Sequence, residues 1–222
     1  MITFTLVVIL RSLLAIVLMQ LFKQRVEPEA RPSAPRASAP PPAPQPDLAH
    51  LKPADARAGD VLSVAGAGDG MTDLDFTADR FQRVEAGARR WIEVSGPYRE
   101  RRVSLRAGGG DETEVALHSA SRQLTLEDLG VSENDLAQMD ERQNTGDSFG
   151  FDDKEWLYRL SREARAFRDD GSAASGFYYW EFHERGGRGM IAARKPEGEP
   201  FAVTLYSEIP AGDVTIYRSG PK

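Results

Sequence analysis

The 222-residue chain contains no cysteine. That removes a disulfide framework, a thiol nucleophile and thiolate metal ligation, and it fits either side of a membrane. Histidine is also scarce. His50, His118 and His183 stand far apart, with no His-x-x-x-His or His-Glu-x-x-His pair, so no metal site is expected. No Gly-x-Ser-x-Gly elbow occurs. The glycines of GAGDG at 66–70 do not open a helix, as a phosphate cradle requires. Eight carboxylates lie between Glu133 and Glu155 without an Asp-x-Asp-x-Asp-Gly loop, so that stretch reads as a solvated loop face and not as a calcium site. No catalytic residue and no cofactor is assigned.

What the chain does have is a hydrophobic run, Ile2 to Phe22, with one charge, Arg11. At 1.5 Å per residue it spans roughly 30 Å, about one hydrocarbon core. A central Arg costs about 2.5–3.5 kcal/mol, and each Ile, Val, Leu or Phe offsets about 0.3–0.6. Fourteen such residues carry the balance to insertion. The run has no basic residue before it and ends in Gln20-Leu21-Phe22-Lys23, without a small-residue cleavage pattern. An uncleaved transmembrane anchor over residues 1–23 is therefore expected in place of a signal peptide. Arg11 is a candidate contact for a partner helix, its alternative being a tolerated charge in a plain anchor. Lys23, Arg25, Arg31 and Arg36 all follow the run, which puts the C-terminal side in the cytoplasm by the positive-inside rule. A periplasmic domain is the alternative.

Residues 24–50 are rich in Pro, Ala and Ser and lack aromatics. They bury too little apolar surface to fold and read as a semi-extended linker. Up to Pro46 there are five basic and two acidic residues, a net of +3, so the remainder carries −9 of the chain's −6. An acidic domain of that kind excludes a nucleic-acid partner, which requires a basic stripe.

Residues 51–222 read as a soluble, mainly β domain, an antiparallel sandwich or barrel. Alternating or β-branched runs lie at Asp60–Val64, Arg80–Glu85, Arg89–Val94, Arg102–Arg106 and Thr113–His118. Four more follow at Phe177–His183, Gly189–Arg194, Phe201–Tyr206 and Asp213–Arg218, with glycine-rich breaks between them. Ser95-Gly96-Pro97 reads as a turn. Ser132 with Asp135 marks the start of one short helix before Leu136 and Met139.

The two halves, 58–131 and 147–218, echo one another. Phe76, Phe81 and Val84 correspond to Phe151, Trp156 and Leu160. RRWIEVSG around Trp91 corresponds to YYWEFHERGG around Trp180, VSLRAG to IAARKPEG, and EVALH to FAVTL. The echo reads as a diverged duplication, and it favours a strand over a helix for Trp156–Phe167. Each half also places an indole beside a carboxylate, Trp91 with Glu93 and Trp180 with Glu181. These four are the candidate ligand-binding residues, because aromatic faces with carboxylates suit a cation. Positions 91 and 93 share a strand face whereas 180 and 181 do not, so the two sites are not equivalent.

The order Ala58-Gly59-Asp60-Val61, Arg90-Trp91-Ile92-Glu93-Val94, Trp156-x-Tyr158 and Tyr179-Trp180-Glu181-Phe182, closing with Ile209 to Tyr217, resembles the bacterial family of domain of unknown function 4178 over residues 54–218. The resemblance implies a β-rich domain of membrane-associated bacterial proteins, some of which travel with polyamine-synthase-like membrane proteins, and no known activity. The chain departs from the family in carrying its own anchor and linker. The expectation is a single-pass protein of the bacterial inner membrane whose domain binds or scaffolds, with other inner-membrane proteins as candidate partners. The alternative is an accessory subunit or an enzyme acting on a polyamine-like cation or a membrane-linked small molecule.

Overall fold

A computed structural model describes residues 51–108 and 114–218. The expected anchor, Arg11 and the proline-rich linker lie outside the described residues. Among those described, no helix is long and apolar enough to cross a membrane.

The domain is an eight-stranded antiparallel barrel with one helix. Its first half contributes β3 (Arg80–Ala86), β4 (Arg89–Tyr98), β5 (Arg101–Gly108) and β6 (Val115–His118). Its second half contributes β8 (Lys154–Phe167), β9 (Ala173–Glu184), β10 (Gly189–Pro196) and β11 (Ala202–Glu208). Each half is an up-and-down meander, and the two close on each other through β6–β11 and β3–β8. Closure removes the free edges that an open sheet would present. A short strand, β7 (Ser148–Phe151), pairs with the first part of β8. A separate three-stranded sheet has the order β12-β1-β2, from β12 (Val214–Tyr217), β1 (Val61–Val64) and β2 (Leu74–Thr77).

Strand alternation sorts the core into three layers. Inward positions supply Val84, Ala86, Trp91, Ala116, Ala164, Ala166, Phe177, Tyr179, Met190, Ala192 and Tyr206. The outward face of β4–β6 supplies Val94, Val103, Leu105, Ala107, Val115 and Leu117, which pack under Leu62, Val64, Leu74, Phe76, Val214 and Ile216 of the small sheet. The outward face of β8–β11 supplies Trp156, Tyr158, Trp180, Phe182, Ile191, Ala193 and Val203. That face is covered by Leu124, Leu129 and Val131 and by the helix α1 (Glu133–Arg142) through Leu136 and Met139. Strands buried on both faces explain why several read as near-continuous apolar runs.

The helix begins where expected. Ser132 Oγ accepts from the Asp135 amide at 3.1 Å, and Asp135 Oδ2 accepts from the Ser132 amide at 2.8 Å, a reciprocal capping box. Trp156–Phe167 is a strand, as expected, and makes up all of β8 but its first two residues.

Two expectations are corrected. Ser95-Gly96-Pro97 is no turn but the last part of β4, paired with Ser104, Val103 and Arg102. Glycine is there for space: a Cβ on Gly96 would lie 2.0 Å from the Thr77 carbonyl oxygen of β2. The acidic stretch Glu133–Glu155 is not a loop face either, since it holds α1, β7 and the start of β8. Glu133, Asp135 and Glu141 lie on the exposed side of α1 and Glu155 on β8, while Asp147, Asp152 and Asp153 occupy the turns between elements.

Candidate functional site

The barrel interior is where the predicted residues meet. Trp91 and Glu93 alternate inward on β4, and Glu181 points inward from β9 beside Tyr179. Trp180 does not join them. It faces outward beneath α1, and its indole donates to the Leu136 carbonyl at 3.2 Å. The place expected for it is taken by Tyr179, whose ring lies 5.3 Å from that of Trp91. Opposite faces for neighbouring strand residues follow from the pleat, as the sequence required.

Two arginines missed in the sequence complete the interior, Arg106 of β5 and Arg194 of β10. The Glu93 carboxylate accepts from the Trp91 indole at 2.6 Å, from the Gln82 amide at 2.6 Å and from the Arg194 guanidinium. Glu181, fully buried, accepts from Tyr179 Oη at 2.6 Å, Arg106 at 2.9 Å and Arg89 at 2.7 Å. His183 Nε2 lies 3.0 Å from the same carboxylate, and its Nδ1 lies 3.2 Å from Glu208. Arg106, 3% exposed, stacks over Trp91 at 4.1 Å, and Arg194 lies over Phe177 at 5.2 Å.

The arrangement is reciprocal. Glu93 of the first meander binds Arg194 of the second, and Glu181 of the second binds Arg106 of the first. In each half an aromatic donor two residues before the carboxylate also bonds to it, Trp91 to Glu93 and Tyr179 to Glu181. The correspondence is a constant offset: Trp91 with Tyr179, Glu93 with Glu181 and Arg106 with Arg194, each 88 residues on. Aligning the halves on their tryptophans is one residue out of step. One step on a strand reverses the face, so that alignment puts an inward residue opposite an outward one. The arginines were legible in principle, as charged residues at inward-facing strand positions.

These contacts set the charge states. Burial raises the Glu93 carboxyl, but the charge and hydrogen bond of Arg194, the Trp91 indole and Arg106 outweigh it and hold the group down at about 2. Burial opposes the Glu181 carboxylate as well. The His183 hydrogen bond, Arg106, Arg89 and Tyr179 still keep it well below the ordinary range. Burial, then the negative charge of Glu93, pushes the Tyr206 phenol up to about 12. The interior therefore presents two ionised carboxylates, Glu181 with four hydrogen-bond partners and Glu93 with three. Among the described residues, no three His, Asp or Glu side chains are grouped to hold a metal.

Open clefts lie around the barrel. One, of about 570 Å³, reaches Gln82, Glu93, Ser95 and Ser104 from the end carrying the β8–β9 turn, with Arg80, Asp79, Arg168 and Asp169 at its rim. A second, of about 620 Å³, runs past Glu85, Arg165, Phe177, Tyr178 and Lys195. A third, of about 630 Å³, lies between Leu126, Val131 and Phe201, with Glu127, Glu133 and Asp135 around it. A fourth, of about 420 Å³, lies where β5 begins and β6 ends. Comparison of the chain with protein-family models, with curated proteins and with solved structures gives no match.

Proposed function

We propose that the chain is a membrane-anchored binding or scaffolding module without catalytic activity of its own, its domain on the cytoplasmic side. The observation that carries this reading is the donor load on the two buried carboxylates, four hydrogen bonds on Glu181 and three on Glu93. Catalytic carboxylates need a lone pair or proton free for a substrate and a pKa near the working pH. These two spend their acceptor capacity on arginines, aromatic donors and a glutamine, at pKa values far from neutrality. Their work is to lock one meander to the other, which leaves recognition to the outer clefts. Crosslinking of the tagged full chain in native membranes, with partner identification, tests it. Partners that persist when Arg11 is changed to Leu would assign binding to the barrel and leave the helix a plain anchor. Turnover of a small molecule by the purified chain would overturn the non-enzymatic half of the reading. A C-terminal reporter active only outside the cytoplasm would overturn the topology.

The alternative, a polyamine-like cation held by Trp91, Glu93, Trp180 and Glu181, meets a specific obstacle. Trp180 faces outward, and the interior box that Trp91, Tyr179, Glu93 and Glu181 do form is filled by Arg106 and Arg194. Saturable heat on titrating spermidine would restore that alternative. Membership of the bacterial family that the sequence resembles is part of the same proposal.

The barrel itself we read as two diverged copies of one four-stranded unit. Reciprocal ion pairs, each from the second strand of one half to the third strand of the other, are what a former two-fold interface would leave behind. Two copies of residues 147–218 joined in tandem should then form a β-sheet protein with a cooperative melt. A disordered product by circular dichroism counts against the duplication.

A further inference from the structure

Of the four clefts, the one at the start of α1 keeps the largest net charge once ion-pair partners are counted. Three carboxylates line it, Glu127, Glu133 and Asp135. The single cation paired with them among the described residues is Lys195, 4.0 Å from Glu133, so a net of −2 remains. In the other three clefts, partners bring the balance to zero or to one charge. Glu127 is exposed, and the Glu133 side chain is 72% exposed. Asp135 accepts through Oδ2 from the Ser132 amide and hydroxyl, which leaves its Oδ1 unused.

Within that rim the lining is apolar: Leu126, Val131, Pro200 and Phe201. Val131 is buried, and Leu126 and Phe201 are half-buried against the core beneath α1. The Phe201 ring packs on Trp180 at 5.7 Å. Lys195 Nζ lies over the Phe201 ring at 4.7 Å, so this aromatic already takes a cation on its face. The walls are preformed. The amides of Leu129 and Val131 donate to the Leu126 carbonyl, each at 3.1 Å, and that of Gly130 donates to the Glu127 carbonyl at 3.0 Å. The capping box fixes residues 132–135. A site ordered before binding is spared the cost of ordering on contact.

We infer that this cleft takes the cytoplasmic flank of a membrane helix in a partner protein, a short segment in which Lys or Arg brackets an apolar side chain. The inference deepens the binding reading above and rests on it. Cytoplasmic flanks of membrane spans carry an excess of Lys and Arg. That makes them the electrostatic complement of an acidic rim around an apolar floor. At about 630 Å³ the cleft admits one large apolar side chain and the backbone on either side of it.

The test uses the full chain in dodecyl maltoside, with protein-free micelles as the blank. The probe is the fluorescein-labelled peptide Gly-Lys-Arg-Leu-Lys-Arg-Gly, followed by fluorescence anisotropy. Salt is held at about 0.15 M, where exposed charges more than about 8 Å apart are screened. Saturable binding is expected. It should weaken at least about tenfold when the peptide's leucine becomes serine, a change that tests the floor without touching the protein. It should weaken at least about tenfold in Glu127→Lys/Glu133→Lys, which inverts the rim at two exposed positions and so keeps the fold. Asp75→Lys/Glu100→Lys makes the same change of net charge at exposed positions outside the cleft and should bind as the parent chain does. No saturable binding, an unchanged affinity for the serine peptide, or an equal loss in the Asp75 and Glu100 variant would overturn the inference. In native membranes the rim-inverted chain should lose the crosslinked partners of the parent. Partners it retains would sink this cleft alone, whereas a parent chain that crosslinks to no partner would sink the scaffold itself.

Discussion

Glu181→Gln should be among the most damaging single changes in the barrel. The substitution keeps shape and removes one charge. Glu181 is fully buried and Arg106 is 3% exposed, so the change strands a guanidinium with no route to water. Removing one partner of a buried pair costs about 3–5 kcal/mol. Arg89 is spared, because it is 23% exposed and also binds Glu114. Domains of ordinary stability hold about 5–15 kcal/mol, so about a fifth or more is at stake. For a domain of this size each kcal/mol moves Tm by about 2–4 °C, which gives a fall of about 6–20 °C. Urea unfolding followed by tryptophan fluorescence reads the same loss as a lower midpoint at constant slope. The double variant Arg106→Met/Glu181→Leu supplies the other arm of the argument. With both charges gone the desolvation cost goes too, and such replacements are often neutral or stabilising. The double variant should therefore recover more than half of what Glu181→Gln loses. A Glu181→Gln loss under about 1 kcal/mol, the range of exposed pairs, would refute the account of the interior as a charge lock. A double variant as unstable as the sum of its parts would refute the reciprocity.

Four further outcomes follow from the same geometry. The Glu93 carboxyl is held at about 2 against an ordinary 4.5, so its contribution is full above 4.5 and drains as pH falls toward 2; by linkage that is about 3 kcal/mol, absent from the acid limb of a Glu93→Gln melting series. Tyr206 and Tyr178 are raised to about 12, each by burial first, then by the charge of Glu93 and by the hydrogen bond to Asp140 respectively, so their neutral forms stabilise the fold up to pH 10 and cease to do so as pH rises to 12. Phenolate absorbance should accordingly show a late fraction that coincides with alkaline unfolding. Ser132→Ala removes the cap of α1 and should cost about 0.5–2 kcal/mol in chemical denaturation, with faster amide exchange in the first helical turn. Gly96→Ala drives a methyl into the Thr77 carbonyl, and it should separate the small sheet from β4 at a cost of about 1–3 kcal/mol, seen as new protease sensitivity around β2.

The strands of this barrel were legible because alternation and glycine breaks are local properties of the chain. The helix start was legible for the same reason, since Ser132 and Asp135 satisfy each other within one turn. What stayed hidden depends on contacts between distant segments. Gly96 looked like a turn residue, and only the crossing of β2 shows that it is a strand residue without room for a side chain. The candidate site was half visible. Trp91, Glu93 and Glu181 carry the chemistry, but their partners sit 101 and 75 residues away in Arg194 and Arg106, and no spacing rule links them. The tryptophan echo marks the right strands at the wrong step, because Trp91 faces the lumen and Trp180 faces α1. Polarity is the better guide in a closed barrel. An arginine or glutamate at an inward position has to find a partner across the lumen, so aligning the halves on their inward charges recovers the offset that pairs β4 with β9 and β5 with β10. The charge lock, and not the aromatic repeat, is therefore the part of the repeated pattern that the fold holds in register.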